Sequence, residues 1–573
     1  MRSDPRPGRI RDPRQSNELM WLVALAISVP LLLVIVAGAY VYRAAGGAAA
    51  IAVVVGCLLL SLALFLVIRR VRPSAGSDHQ WTDHLAGVMS GKQDVRTLSE
   101  PAVRAVAERV GSTAGGFGLP VGKAINPSVW LYSSVEWVQL WFMGPRMGKT
   151  SSICINHIVE VRMPAVVTSN KRDIVDATRG PRSEIGRVFV HDPQQIVGEQ
   201  PTWWWSPLSY IMAGNDQVAR AGRLAAVFEA AVEDRESVRD SFFGPASSAL
   251  LADVLLAAAV SGQPLSQAYQ WLAYADPQDL NRSGIDNPAD VLARAGFARA
   301  AQEVESHQFS PDKQRAGVFQ GALKAMEFVR EPTYSPWYEP HGPDDQRPQF
   351  NVDEHVVSSD TLYLVSKEGK GSPRALTASL TMAVCDAAER AAQRTRGRLQ
   401  VPLLVELDEA ANVCRWPELP DLFSHYGSKG ILLVVILQSR EQGVGVWGES
   451  GMRTLTSAAN LVGVGGGIED EKHLREIVEL IGPRQVITSS RSAGNQGHRS
   501  MSDQVKDEQI FTAADLRAVP PGRAVVFASG VRPILTRMVP YYEKPYANKV
   551  AASKEYYETE HDQRKQPSPE GAA

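Results

Sequence analysis

The chain has 573 residues, of which 44% are hydrophobic and 21% charged, a composition typical of a globular protein with more than one domain. Its 60 basic and 62 acidic residues give a net charge of −2, and the excess of arginine in residues 1–72 makes the remainder net acidic. This excludes the overall basic surface expected of a sequence-specific DNA-binding protein, so any contact with nucleic acid is expected at local loops. The four cysteines form no C-x-x-C pair, which argues against a zinc site or a disulfide framework.

Two apolar runs without a charge, residues 19–42 and 48–68, follow the basic start. Each is long enough to cross a bilayer, which takes about 20 residues. A cleaved signal peptide is the alternative for the first run, but that run exceeds the usual signal core and a second run follows it. Arginines lie before the first run and after the second. The sequence therefore predicts a two-helix transmembrane hairpin in a multi-pass protein with both termini cytoplasmic.

Residues 142–152 read FMGPRMGKTSS, between an apolar run and a helical pattern. A glycine-rich turn that ends in Gly-Lys-Thr is typical of a P-loop, in which backbone N–H groups and a helix N-terminus bind phosphate. Only three residues separate the two glycines instead of four, so Met143 takes the usual first position. The candidate nucleotide-binding residues are Gly144, Pro145, Arg146, Met147, Gly148, Lys149, Thr150 and Ser151.

Residues 401–412 read VPLLVELDEAAN, an apolar strand that places Asp408 and Glu409 at its end. A carboxylate at a strand end completes a Mg²⁺ site with the P-loop hydroxyl of Thr150, and a neighbouring carboxylate can activate water. The two motifs together predict an ATPase with ATP and Mg²⁺ as cofactors. The alternative, a buried strand with a solvated acidic end, leaves the Gly-Lys-Thr turn unexplained.

Strands alternate with helices after about residue 126, which predicts an α/β fold with a parallel sheet covered on both faces. A long stretch of helical periodicity interrupts this alternation and predicts an all-helical insertion. Residues 485–505 are polar and are predicted to form a flexible loop. The predicted domains are a basic start with two spans (1–72), a stalk (73–125), a discontinuous nucleotide-binding domain (126–207 and 345–546), the insertion (208–344) and a disordered tail (547–573).

Several motifs, in this order, resemble the type IV coupling protein family, the TraG/TraD-type conjugative ATPases of type IV secretion systems. They are the hairpin, the GPR-x-GKT loop, the VVTSNKRD strand, the WSPLS segment before the insertion, LDEAAN followed by ILQSREQ, and PPGRAVVF. The resemblance covers about residues 19–545. It implies a RecA-like P-loop NTPase domain in a homo-hexamer, with an all-helical insertion that contacts the relaxase, and a location in the bacterial inner membrane.

The resemblance also implies roles for the site residues. Lys149 would neutralise the β- and γ-phosphates, Thr150 and Asp408 would hold Mg²⁺, and Glu409 would orient or deprotonate the attacking water. Gln438 would sense the γ-phosphate, with an amide that merely caps a strand end as the alternative.

Two further questions concern Glu406 and the source of the catalytic cation. Glu406 lies on the same strand face as Asp408 and is interpreted as structural. RecA-like hexamers use an arginine from the adjacent subunit, but the family's basic segment has no arginine here. Lys429 is the nearest candidate for this catalytic cation, and Arg440 or Arg453 could replace it.

The function predicted from the resemblance is that of a membrane-anchored ATPase that couples a relaxase–single-stranded DNA substrate to a type IV secretion channel and drives its translocation. Its expected partners are single-stranded DNA, relaxosome proteins, channel components and the lipid bilayer. One alternative is a substrate receptor for protein effectors. The other is an FtsK-type DNA pump, for which the segment after 547 is too short to hold the usual winged-helix module.

Overall fold

The computed structural model describes residues 79–232, 244–369, 371–493 and 499–565. From residue 82 onward these form one compact unit built around a large sheet. The strands in the described residues are β1 (Gly118–Ala124), β2 (Trp130–Ser134), β3 (Gln139–Phe142), β4 (Ala165–Ser169), β5 (Val188–His191), β6 (Thr361–Val365), β7 (Leu403–Leu407), β8 (Ile431–Leu437), β9 (Leu461–Gly465), β10 (Pro483–Ala493), β11 (Arg499–Gln509), β12 (Arg523–Ala528) and β13 (Ile534–Arg537).

Eleven of these strands form the main sheet, in the order β2-β1-β13-β12-β9-β3-β8-β7-β4-β6-β5. The strands from β9 to β5 pair in parallel, and the remaining four pair antiparallel at one edge. Strand β8 lies between β3 and β7, and β4 lies on the far side of β7. The carboxyl ends of β3, β8, β7 and β4 therefore meet at one edge, where an open α/β sheet places its ligands.

Helices cover the sheet and fill the segment between β5 and β6. They are α1 (Ala86–Met89), α2 (Lys92–Thr97), α3 (Glu100–Arg109), α4 (Ile155–Glu160), α5 (Asp173–Ser183), α6 (Leu208–Met212), α7 (Gln217–Val232), α8 (Gly244–Val260), α9 (Leu265–Ala273), α10 (Pro277–Arg282), α11 (Pro288–Arg294), α12 (Ala298–Gln308), α13 (Asp312–Ala325), α14 (Ser335–Tyr338), α15 (Val352–His355), α16 (Arg374–Arg394), α17 (Ala410–Val413), α18 (Leu419–Lys429), α19 (Arg440–Ala458), α20 (Glu471–Ile481), α21 (Ala513–Arg517) and α22 (Ala547–Lys565).

Both faces of the parallel strands are buried. All seven residues of β8 are fully buried, and they alternate between two hydrophobic cores, one on each face of the sheet. A continuous apolar run is what a parallel strand covered on both faces requires. The helices α6 to α13 pack into the core on one face, which also contains Leu433 and Val435. The mixed α/β fold with a large parallel sheet confirms the α/β class predicted from the sequence. The division into domains stays a prediction.

The predicted membrane localisation is contradicted. No helix within the described ranges is both long and apolar enough to cross a bilayer. The 21-residue helix α16 reaches a spanning length, but it carries Asp386, Glu389 and Arg390 within it. The two predicted spans, 19–42 and 48–68, lie outside the described residues.

The predicted stalk differs from the structure, since the part of it that belongs to the compact unit, from residue 82, folds against the sheet. Val95 and Leu98 are buried, and the carbonyl of Leu98 accepts a hydrogen bond from the backbone of Tyr132 at 2.8 Å. The buried carboxylate of Asp83 accepts two hydrogen bonds from Arg523, at 2.7 and 2.9 Å. Strand β1 lies between β2 and β13 in the antiparallel part of the sheet, so this segment belongs to the α/β structure.

Two further segments are more ordered than the sequence predicts. In the segment predicted as a flexible loop, β10 and β11 form a separate two-stranded hairpin. In the predicted disordered tail, Ala547–Lys565 form α22, which docks through the fully buried side chain of Val550 and through Ser553. The docking surface lies on α5, so a polar helix becomes ordered by tertiary contact rather than by its own apolar face.

Candidate nucleotide-binding site

The start of the predicted phosphate loop is tied to both neighbouring strands. Met143 is fully buried, and its N–H donates to the carbonyl of Leu437 at 3.0 Å, which continues the pairing of β3 with β8. The next residue, Gly144, donates to the carbonyl of Gly466 at 3.1 Å. A Cβ on Gly144 would lie 2.2 Å from the carbonyl oxygen of Gly467, so only glycine fits. The backbone of Met143 therefore extends the pairing of β3 with β8 by one residue, and the loop begins at Gly144.

The loop turns through two residues with positive φ, Arg146 at 60° and Gly148 at 90°. Left-handed backbone is unfavourable for a residue with a side chain, so the turn at Arg146 is strained. The chain then enters a π-helical turn, Thr150–Cys154, that leads into α4. The hydroxyl of Ser151 donates back to the carbonyl of Gly148 at 3.2 Å. The loop thus places a helix N-terminus at the carboxyl edge of the sheet, the geometry that binds phosphate.

The lysine of this loop meets the two carboxylates that follow β7. The amino group of Lys149 donates to Oε1 of Glu409 at 2.8 Å and lies 3.9 Å from Oδ1 of Asp408. All three side chains are buried. Oδ1 of Asp408 accepts no hydrogen bond in the part of the chain that the structure describes. Residues that are about 260 positions apart in the sequence therefore form one charged cluster.

Two amides complete the surroundings of Glu409. Nε2 of Gln438, directly after β8, donates to Oε1 at 2.8 Å, and Nδ2 of Asn170, directly after β4, donates to Oε2 at 2.6 Å. Gln438 was expected in the site from the sequence, but Asn170 was not. A polar residue at the end of the strand VVTSN was the available signal. This signal points to the site only if β4 lies beside β7, and the sequence does not reveal that strand order.

The two neighbouring carboxylates differ in their acidity. Burial raises the pKa of Asp408 to about 7, and the nearby charge of Lys149 opposes that rise. Burial would also raise the pKa of Glu409, but hydrogen bonds from Lys149 and Gln438 outweigh it and lower that pKa. A buried carboxylate oxygen without a donor is a suitable ligand for a hard cation such as Mg²⁺. The donor set at Asp408, with the hydroxyl of Thr150 at the start of the adjacent helix, fits a Mg²⁺ ion bound with nucleotide phosphate.

The other candidates lie away from this cluster. Lys429 ends α18, at the amino end of β8, and forms an ion pair with Glu389. Gln438 and the cluster lie at the carboxyl end of the same strand, about 20 Å away at 3.3 Å per residue. Within one chain, therefore, Lys429 does not reach the site.

Arg440 pairs with Glu449 at 2.6 Å, and Arg453 is exposed on the same helix. Glu406 bonds His157 at 2.9 Å, and the other ring nitrogen of that histidine contacts the carbonyl of Pro120 at 3.0 Å. Glu406 therefore links β7 to α4 and has the structural role that was expected.

Comparisons with known proteins give one partial family match and several similar folds. Residues 402–521 match the family described as the TraM recognition site of TraD and TraG. The fold is similar to the unbound bacterial conjugative coupling protein TrwBdeltaN70, at 16% identity over 78% of this chain and 91% of that chain, with a TM-score of 0.52. It is similar to the plasmid coupling protein TrwB in complex with ADP and Mg²⁺, at 16% identity over 79% and 92% of the two chains, with a TM-score of 0.52. Curated protein sequences give no match.

The strand order of the sheet, with the phosphate loop after its central strand β3, is that of an open α/β fold similar to the fold of TrwB. The family match covers residues 402–521 of this chain. These two findings support the resemblance to the type IV coupling protein family that the order of the motifs suggested.

Proposed function

We propose that this chain is a conjugative coupling ATPase, which binds a relaxase–single-stranded DNA substrate and uses ATP hydrolysis to move it into a type IV secretion channel. One observation carries the proposal: Lys149 of the phosphate loop and Gln438 both bond the carboxylate of Glu409, next to an oxygen of Asp408 that accepts no hydrogen bond from the described residues. Fold-level similarity to TrwB supports it, since the solved TrwB structures include complexes with nucleotides.

Binding of the nucleotide would use the phosphate loop and Lys149. The turn with positive φ at Arg146 and Gly148 precedes Lys149, whose amino group reaches Glu409. Lys149 would exchange its bond with Glu409 for the outer phosphates, which are the stronger anion. Asp408 and Thr150 would hold Mg²⁺, which when bound neutralises charge that develops on the phosphates.

Hydrolysis would depend on Glu409. Once Lys149 leaves, Oε1 of Glu409 is free to accept a proton from water. That water attacks the γ-phosphorus, the bond from this phosphorus to the bridging oxygen breaks, and ADP and phosphate result. Gln438 lies within 2.8 Å of the same oxygen, so its amide can turn to the γ-phosphate. The arrangement supports a water-activating carboxylate with a γ-phosphate sensor beside it.

The partners follow from the family. The matched family is described by recognition of TraM, which supports a relaxosome protein as a partner of residues 402–521. The same proposal includes a hexamer in which the neighbouring subunit supplies a cation to the site. It also includes contact between this chain and the channel. The helices of 208–344 are the proposed relaxase contact, since a nucleotide-binding sheet does not need them.

The test is hydrolysis of ATP by the purified full-length chain, with and without single-stranded DNA, in the presence of Mg²⁺. We expect DNA to increase the rate and Lys149→Ala to abolish it. Lys313→Ala removes an exposed lysine from α13 and serves as the matched control, with wild-type activity expected. Hydrolysis that does not respond to DNA would instead favour a receptor for protein cargo, and wild-type activity in Lys149→Ala would refute the proposed site.

A further inference from the structure

The carboxylate of Glu409 divides its two oxygens between different partners. Oε1 accepts from Lys149 and Gln438, both at 2.8 Å, whereas Oε2 accepts from Asn170 alone, at 2.6 Å. A carboxylate can only accept hydrogen bonds, so the amide nitrogen of Asn170 must face it. Glu409 also has a left-handed backbone, with φ of 53°, which is unfavourable for a glutamate and persists only where the surroundings fix it.

The two groups that donate to Oε1, Lys149 and Gln438, are also expected to bind ATP during turnover. Resting on the proposed function, Lys149 turns to the outer phosphates when ATP binds, and Gln438 turns to the γ-phosphate. Both bonds to Oε1 are then given up, which frees this oxygen for water. The bond from Asn170 to Oε2 is the one side-chain contact of Glu409, among those the described residues make, that does not compete with the nucleotide.

We propose that Asn170 is a positioning residue that holds Oε2 of Glu409 throughout turnover, so that Oε1 points at the attacking water. Asn170 does not touch the reacting atoms; it acts through Glu409. Loss of its hydrogen bond should leave a carboxylate that rotates freely. A misplaced general base lowers the rate of the chemical step but leaves binding of the substrate intact.

The segment that follows Asn170 makes several hydrogen bonds with the C-terminal helix α22. Ser553 of α22 accepts from the N–H of Gly180 at 2.9 Å and donates to the carbonyl of Asp176 at 2.5 Å. These two backbone groups are four residues apart in α5, so the serine hydroxyl is inserted into the hydrogen-bond ladder of that helix. Arg172, two residues after Asn170, also donates to the carbonyl of Tyr557 at 3.0 Å. Asn170 therefore lies beside a segment whose position is fixed by contacts with α22.

The decisive variant is Asn170→Leu in the full-length chain, with Asn170→Ala beside it. Leucine has nearly the size and branching of asparagine and adds no charge beside Glu409, but it cannot donate a hydrogen bond to the carboxylate. If Asn170 only filled space, the site would tolerate this change. We expect both variants to lower kcat at least tenfold, while the dissociation constant for a non-hydrolysable ATP analogue stays within about threefold of wild type.

Asn170→Leu with kcat within twofold of wild type would overturn the inference, and so would a loss of ATP-analogue affinity as large as the loss of kcat. Thermal unfolding of each variant shows whether it is folded, and a folded Asn170→Leu decides the matter even if Asn170→Ala does not fold. If the wild-type chain itself does not hydrolyse ATP, the proposed function fails instead. The two failures are therefore distinguishable.

Discussion

Lys149 is bound by the carboxylate that is expected to activate water, and this has a measurable consequence for ATP affinity. The bond from Lys149 to Glu409 is 2.8 Å long and buried. Hydrogen bonds to charged groups contribute about 1.5–3 kcal/mol, and neutral ones about 0.5–1.5 kcal/mol. Nucleotide binding must break this bond before the lysine can reach phosphate. Glu409→Gln keeps the shape but removes the charge, so the bond that ATP must displace becomes weaker.

We expect Glu409→Gln to bind ATP more tightly than the wild type by about 1 kcal/mol, or about fivefold in the dissociation constant, since 1.4 kcal/mol corresponds to tenfold. Removal of a negative charge beside the γ-phosphate acts in the same direction. The assay is titration with a fluorescent, non-hydrolysable ATP analogue in the presence of Mg²⁺. Glu389→Gln, which makes the same change of charge at the partner of Lys429 outside the site, is the matched control. Equal or weaker binding by Glu409→Gln, or equal tightening by the control, would refute the exchange of partners by Lys149.

Three further outcomes follow from buried charge and overall charge. Burial raises the pKa of Asp253 to about 7, above the value of about 3.9 in the unfolded chain. The stability that goes with the protonated carboxyl is therefore fully present below pH about 3.9 and is lost as the pH rises through about 7. Asp253→Asn should therefore raise the free energy of unfolding by about 1–2 kcal/mol at pH 8.5 and change it little at pH 4, and denaturant titration at both values checks the sign. Arg182 is fully buried and donates to the carbonyls of Val161 and Met163 at 2.7 and 2.6 Å. Arg182→Met should cost about 3 kcal/mol or more, whereas Arg299→Met, at an exposed arginine, should cost under about 0.5 kcal/mol. Binding of single-stranded DNA by the full-length chain should weaken steeply with salt, because a net acidic chain must contact phosphates through local basic loops; salt-insensitive binding would contradict this.

The centre of the site was predictable because its chemistry is local in the sequence. A phosphate loop needs a strand, a glycine-rich turn and a helix in succession, and Asp408 and Glu409 directly follow a buried strand. Those patterns have fixed spacing and can be recognised without knowledge of the neighbours. The parallel part of the sheet was predictable for the same reason, since long apolar runs such as β8 are buried on both faces.

Asn170 and the C-terminal helix were not predictable, because both depend on contacts between distant segments. The role of Asn170 requires β4 to lie beside β7, and strand order is not encoded in any local pattern. Helix α22 has no apolar stripe of its own; it is fixed by the insertion of Ser553 into α5 and by the burial of Val550. Strand β1 likewise joins the sheet by pairing with β13, which is distant from it in the sequence.

The central claim is that Glu409 activates water for hydrolysis. It is tested most directly by identifying the nucleotide that is recovered from the purified full-length chain after incubation with Mg²⁺ and ATP. Wild-type protein should yield ADP, and folded Glu409→Gln should retain ATP, because the amide preserves the contacts of the site but cannot accept the proton. Recovery of ADP from Glu409→Gln at the wild-type rate would contradict the assignment of Glu409. Intact ATP in the wild-type chain, with DNA present, would contradict the ATPase itself.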